Sequence, residues 1–341
     1  MSKVTLKSLA KHLGVSVATV SNAFNRPDQL STELRRHILA ESEKLGFGGP
    51  NATARSLRTG RSDMIAVLLS DTLEYSMSDP VANQLIKGIA SVLQENEKDM
   101  LLLTGAKLLH SAAESLPDGF IIYGYPMNQD QLIRIQKSGK PIICIDCNLP
   151  GVGAVNIDDY RYAYDIAHYA LKKHLGKVAI IGLRLVESDR VCRMQANELF
   201  DRSVSISHRR LDGYLAAAAE LQRDIPAEQV WHTPLNTYYF AEIAAREALT
   251  QHPRPEILLC MSDRIALAAL SVARELGLRV PDDLCLVGFD GIDEAERTFP
   301  RITTVAQHSD EKGRTAARLL LSGQHHDNVM LECELRLRLS C

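Results

Sequence analysis

The chain lacks any apolar run long enough to cross a membrane. It also lacks an apolar core behind its first residues of the kind a secretory leader carries. A soluble, cytoplasmic protein is expected. Aromatic residues fill only 5% of 341 positions and charged residues 24%, which fits the same expectation. GxxxxGKS/T, the nucleophile-elbow GxSxG and HExxH are all missing. No base–nucleophile pair or metal constellation stands out, so neither enzymatic activity, a cofactor nor a metal is expected. Seven cysteines without a leader imply reduced thiols. Cys144 and Cys147 have CxxC spacing, but positions three apart on a strand face opposite ways. Their thiols would meet only if the strand had ended by Asp146. His325-His326-Asp327 reads as a solvated turn.

Charge is unevenly placed. Residues 1–61 carry ten Lys and Arg against four acids, a net of +6; the whole chain is −3, which leaves −9 elsewhere. A basic segment on an acidic chain is an electrostatic footprint for phosphate. The same segment holds two short helical patterns. Leu6, Leu9, Ala10 and Leu13 repeat at i, i+3, i+4, i+7. Gly14 supplies a left-handed helix stop, Val15 a staple and Ser16 an N-cap for a second helix. Val20 and Phe24 then face inward, leaving Val17, Ala18, Ser21 and Asn22 outward. Small side chains there let a helix sit deep in a major groove, with methyl contacts from Val17 and Ala18 and an amide from Asn22. A third helix is expected from Ser31 or Thr32 to Leu45, with Leu34, Ile38 and Leu45 inward and Gly46 ending it.

Pro50 to Ser62 is short and basic. Asn51 can cap a turn and a half of helix over residues 52–57, too short to be stable alone. From residue 62 the pattern alternates strand and helix. Strands are expected at Met64–Ser70, Met100–Leu103, Gly119–Tyr123, Ile142–Ile145, Val178–Ile181, near Val230, Ile257–Met261 and Leu284–Phe289. Helices are expected at Pro80–Asn96, Tyr162–Lys173, Arg210–Leu221, Phe240–Thr250 and Ile265–Glu275. Two α/β lobes in series, each a doubly wound parallel sheet, suggest a periplasmic-binding-protein architecture with a cleft at the strands' carboxyl ends. The fold class is therefore α/β: an all-α helix-turn-helix domain followed by two such lobes.

Five ordered motifs carry a resemblance: LKSLAKHLGVSVATVSNAFN near the start, PNATARSLRTGRSDMIAVLL at 50–69, RLDGY at 210–214, MSDRIALAAL at 261–270 and VPDDLCLVGFDGIDEAERTFPRITTV at 280–305. On these the chain resembles the lactose-repressor (LacI/GalR) family of transcriptional regulators nearly end to end. The resemblance implies a helix-turn-helix domain at 1–48, a hinge helix and linker at 49–61, and an effector-binding and dimerisation domain at 62–341. Its lobes would be 62–157 with 306–331 and 158–305 with 332–341. It implies DNA contacts from Thr5, Ser16, Val17, Ala18, Thr19, Ser21, Asn22 and Asn25. Leu57 is the matching minor-groove wedge, and Ala54 keeps the facing surface of the paired hinge small. It also implies a homodimer, and two copies reading a palindromic operator supply the specificity one motif cannot. No leucine heptads follow LECELRLRLSC, so a coiled-coil tetramer is not expected.

In the cleft the resemblance implicates Arg210, whose fork suits vicinal hydroxyls or a carboxylate, and Asp290 and Asp146 as acceptors. Ser262 stands where many members have asparagine. Tyr75, in a loop from Asp71 to Asp79, and Tyr125 are candidates to stack on a sugar face. The function implied is a repressor controlled by a sugar or nucleoside-like effector; the alternative is a solute-binding protein or α/β enzyme using the same cleft. Two departures stand out. GAKLLHSAAESLPDG is a short crossover where members carry a helix. The stretch 183–209 is long, charged and expected over the cleft mouth.

Overall fold

The computed structural model describes residues 4–48, 61–105, 116–125, 128–195 and 205–341. It divides into two compact units: the residues up to Met64 with Leu116–Asp118, and the remainder.

The N-terminal unit is helical, with α1 (Leu6–Leu13), α2 (Val17–Asn25) and α3 (Thr32–Lys44). Thr5 and Ser8 cap the start of α1 reciprocally, each side chain accepting from the other's backbone N–H. Gly14 ends it at φ 66°, a conformation costly for any residue with a Cβ. Ser16 caps α2 by accepting from Thr19 N at 2.9 Å. Leu9, Ala10, Val20, Ala23 and Ile38 form the buried centre, with Leu6, Leu13, Phe24, Leu34 and Phe47 packed around it. Leu45 departs from expectation. Helix α3 stops at Lys44, Leu45 is 38% exposed, and Gly46 turns the chain at φ 68°. Phe47 takes the inward place instead, edge-on to Phe24 at 5.9 Å.

The larger unit contains two sheets. The first has the order β12-β5-β4-β3-β1-β2, from β1 (Met64–Leu69), β2 (Asp99–Thr104), β3 (Gly119–Tyr123), β4 (Ile142–Ile145), β5 (Gly153–Ile157) and β12 (Asn328–Leu331). The second has the order β10-β9-β6-β8-β7, from β6 (Val178–Leu183), β7 (Cys192–Arg193), β8 (Val230–Thr233), β9 (Ile257–Cys260) and β10 (Cys285–Val287). A two-stranded antiparallel ribbon joins β11 (Thr304–Ala306) to β13 (Glu334–Arg336). The central strands are apolar on both faces because helices cover both. The chain leaves the first sheet after β5, returns to it for β12, and leaves again for β13.

Helices α5 (Pro80–Glu95) and α12 (Ser309–Ser322) pack on the first sheet. They meet through glycines: a Cβ on Gly88 would lie 1.9 Å from Asp310 O, and one on Gly313 2.2 Å from Leu85 O. Helices α7 (Asp159–Lys173) and α8 (Ile206–Glu220) pack on one face of the second sheet, and α9 (Tyr238–Thr250) and α10 (Asp263–Glu275) on the other.

Four expectations need correction. Residues Asp71 to Asp79 are not a plain loop: Thr72 accepts from Tyr75 N and caps α4 (Leu73–Ser78). The helix breaks at Asp79 because the residue before Pro80 is pushed out of the α region. Helix α8 begins at Ile206, a turn before Arg210, because Ser205 caps it. Strand β4 ends at Ile145, and Asp146 sits at φ 57°, which turns the chain so that Cys147 Sγ donates to Ile122 O at 3.9 Å. The neighbouring Cys144 thiol and burial push the Cys147 thiol far up, away from reactivity. Finally, not all thiols are free: Cys285 and Cys341 form a disulfide. The short crossover at 106–115 lies outside the described residues.

Candidate DNA-reading face and effector cleft

Helix α2 offers Val17, 45% exposed, with Ala18 and Ser16 also exposed. Thr19, Ser21 and Asn22 are half-buried. Ser16 and Thr19 hydroxyls bond each other at 2.8 Å, and Asn22 Nδ2 donates to Gln29 Oε1 at 3.1 Å. Thr5 is exposed at the start of α1, but its hydroxyl is engaged in the cap. Lys7, Lys11, Arg26 and Arg36 lie on the surface of this unit and supply its positive charge. The Asn25 side chain, Ala54 and Leu57 lie outside the described residues.

In the larger unit a cavity of about 450 Å³ opens between the sheets. Its walls are strand ends: Ser70 and Asp71 after β1, Tyr123 to Tyr125 at β3, Asp146 after β4, Arg184 after β6, Asn236 after β8, Ser262 after β9 and Asp290 after β10. Parallel strands that all point at one crevice present their carboxyl-end loops there. Tyr75, Tyr125, Asp146, Arg210, Ser262 and Asp290 all line it.

The cleft floor is a chain of buried polar contacts. Arg210 Nε donates to Asp159 Oδ1 at 3.0 Å; its Nη1 donates to Met261 O at 2.9 Å and to Asp290 Oδ1 at 3.3 Å. The guanidinium lies 3.7 Å from the Phe289 ring centroid. Gln307 Nε2 donates to the same Asp290 Oδ1 at 2.9 Å, and its Oε1 accepts from Lys312 Nζ at 2.7 Å. Lys312 Nζ also donates to both oxygens of Asp146, at 2.7 and 2.9 Å. The order Asp159–Arg210–Asp290–Gln307–Lys312–Asp146 thus runs without a break from the second sheet's helices to the first sheet.

Burial opposes the Arg210 charge, but Asp159 and Asp290 outweigh it and hold the guanidinium firmly protonated. Burial pushes the Asp290 carboxyl well above the usual range despite Arg210. Asp290 Oδ2 takes no bond among the described residues, so it can meet a ligand hydroxyl. Ser262 is committed differently from expectation. Its oxygen accepts from Ile265 N as the α10 cap and donates to Asn236 Oδ1 at 2.7 Å. Asn236, which sequence reasoning missed, is the amide at this corner.

Further missed residues clasp the rim. Arg184 forks onto Asp71, with 2.7 and 3.3 Å bonds across the cleft. Asn236 N donates to Tyr75 Oη at 3.3 Å, and Arg264 reaches Ser78 O. The long stretch 183–209 is partly used at the sheet edge, where β7 pairs antiparallel with β8. Leu185 N and Val186 N donate to His232 Nδ1 at 3.0 and 3.3 Å, and Nε2 donates to Ser188 O, which pins the start of this segment. Residues 196–204 lie outside the described set; Ser205 and Ser207 line the cleft.

Asp263 holds the Asp290 loop in place, accepting from Gly291 N at 2.7 Å and Ile292 N at 2.9 Å. Burial raises its pKa from 3.8 to about 7 in spite of these bonds and one from Thr304. The unfolded chain loses this proton near pH 3.8 and the folded one near 7. Stability from Asp263 is therefore fully present below 3.8 and is lost as pH rises to about 7. Urea unfolding of wild type and Asp263→Asn is expected to show a stability difference that falls steadily from pH 4 to 7 and is flat above. A difference independent of pH would remove this assignment.

Residues 178–341 match the periplasmic binding protein-like domain family. An HTH-type transcriptional regulator of Mycobacterium tuberculosis is 34% identical over 331 residues, covering 94% of this chain and 90% of the relative. A LacI-family transcriptional regulator from Corynebacterium glutamicum has a similar structure, with TM-score 0.70, 25% identity and coverage of 100% and 99% of the two chains. The transcriptional regulator CelR, solved with cellobiose, superposes with TM-score 0.66 at 25% identity, covering 99% of this chain and 100% of its own. The helical N-terminal unit, the two-sheet cleft and these likenesses place the chain in the LacI/GalR family of helix-turn-helix transcriptional regulators.

Proposed function

We propose that the protein is a cytoplasmic repressor that binds a palindromic operator duplex as a homodimer and releases or engages it in response to a small polar effector in the cleft. A sugar or nucleoside-like molecule fits this reading. The carrying observation is the cleft itself, about 450 Å³ and floored by a polar chain that joins both lobes. A ligand that changes those contacts changes the lobes' relative preference, and operator affinity shifts by its differential affinity for the two states. CelR was solved with a disaccharide, which supports a sugar-like ligand. The ion pairs Arg210–Asp290, Lys312–Asp146 and Arg184–Asp71 around the cleft support a binding role for it.

Binding to duplexes selected from a random pool tests this reading. The full chain is expected to bind a selected palindrome with strong salt dependence. Leu57→Ala is expected to weaken that binding by roughly 30-fold, about 2 kcal/mol, since an apolar wedge is used only at a deformable site. Affinity for unselected duplex should change less than threefold. Equal losses on both duplexes would remove Leu57 as the wedge, and absence of salt-dependent DNA binding would remove the function.

A further inference from the structure

The terminal segment is fastened to the second sheet at a point no part of the cleft uses. Leu286 N donates to Ser340 O at 2.8 Å, and Ser340 Oγ donates to Leu286 O at 2.6 Å. This places Cys341 against Cys285 at the start of β10, both fully buried. An imidazole nitrogen of His174 completes a group whose ligand atoms all lie within 4.8 Å of one another. His174 is held as the cap of α7 by Ala170 O, while Arg223 Nη1 donates to its carbonyl at 3.0 Å. Its Nε2 is buried without a hydrogen-bond partner.

We propose that Cys285, Cys341 and His174 form a redox-gated zinc site, closed as a disulfide when oxidised and holding one zinc ion when reduced. Two thiolates and one imidazole, with a water as fourth ligand, make an open tetrahedral set. Sulfur donors select zinc over magnesium or calcium. Two thiolates cancel the charge of the ion, which suits a buried place. Zinc–sulfur bonds of about 2.3 Å need the sulfurs roughly 3.8 Å apart, a separation that side-chain rotation allows once the S–S bond is gone.

The steps balance. A dithiol or phosphine reductant delivers two electrons, the S–S bond breaks, and two protons complete the Cys285 and Cys341 thiols. The reductant leaves as its cyclic disulfide or, with a water oxygen, as its phosphine oxide. Zinc then forms two Zn–S bonds and releases both thiol protons to solvent.

The test uses the full chain. Under denaturing conditions the air-oxidised protein is expected to show five titratable thiols and the reduced protein seven. After phosphine reduction and anaerobic removal of reductant, cobalt(II) should give a thiolate charge-transfer band at one equivalent, displaced by zinc. The oxidised protein should give none. Cys341→Ser and His174→Ala should each weaken zinc binding at least tenfold, while Cys144→Ser leaves it unchanged. Zinc binding equal in wild type and Cys341→Ser, or lost only in Cys144→Ser, would overturn the site. Seven thiols in the air-oxidised protein would overturn the gating. Neither outcome touches DNA binding, so the repressor reading is tested separately.

Discussion

Arg210→Ala is expected to lower the unfolding free energy by about 3–5 kcal/mol, the cost of leaving buried charge without its partner. The thermal midpoint should fall by roughly 10 °C. Arg210 faces two carboxylates, Asp159 at 2% and Asp290 at 5% exposure, and it is the cation that stands between them. Remove it, and two buried acids remain with only neutral donors at Asp290, whose carboxyl burial already pushes up. Arg209 still reaches Asp159, at 3.2 Å, so the loss should fall short of two isolated charges. Arg210→Lys should recover only part, because an ammonium cannot reach Asp159, Asp290 and Met261 O as a fork does. Urea unfolding followed by circular dichroism gives the answer; a wild-type midpoint for Arg210→Ala would mean the arginine is held for a ligand and not for the fold. Effector binding by this variant is therefore to be read only at temperatures where it is folded. Tyr125→Ala is the cleaner probe of ligand contact, since Tyr125 lines the cleft and is 40% exposed.

Much of this was legible from local rules. Apolar runs such as Met64–Leu69 mark central strands because a short run buried on both faces and bounded by aspartates suits a sheet covered by helices, and Gly14 and Ser16 mark a helix stop and start by their own chemistry. Boundaries slipped where a single cap decided them, as at Ser205 and Thr72. Leu45 was misplaced because periodicity cannot see where a helix ends. The cleft residues came from motif resemblance, and the structure brings all six to one cavity. Their partners did not come, because an ion pair across 166 residues leaves no local trace at either end. One trace did exist. Ser309, Lys312, Gly313, Ala316, Ala317 and Leu320 are the buried positions of α12, and a lysine on such an inward stripe must have a buried acid opposite it. Arg184 and Asn236 left none, since both lie in loops whose paths only the assembled sheets define.

Lys312→Met is the sharper test of whether the polar chain across the cleft acts as one unit. Lys312 is 1% exposed and gives all three of its ammonium bonds, two to Asp146 and one to Gln307. Methionine fills a similar unbranched volume without the charge. Asp146 is then left buried and unpaired, and the expected loss is again about 3–5 kcal/mol. Asp146→Asn is the right partner change, because Asp146 sits at φ 57° and asparagine tolerates the left-handed region better than other residues. The double variant removes both charges and should recover most of the loss, since a neutral replacement of a buried pair is often close to neutral in stability. The resulting cycle isolates the coupling between the two residues, expected at about 2 kcal/mol or more. If the two single losses simply add in the double variant, the pair is uncoupled. Because Gln307 ties Lys312 to Asp290, the same variant should also loosen the Asp290 loop; amide exchange at Gly291 and Ile292 faster than in wild type would show that a change in one lobe is felt in the other.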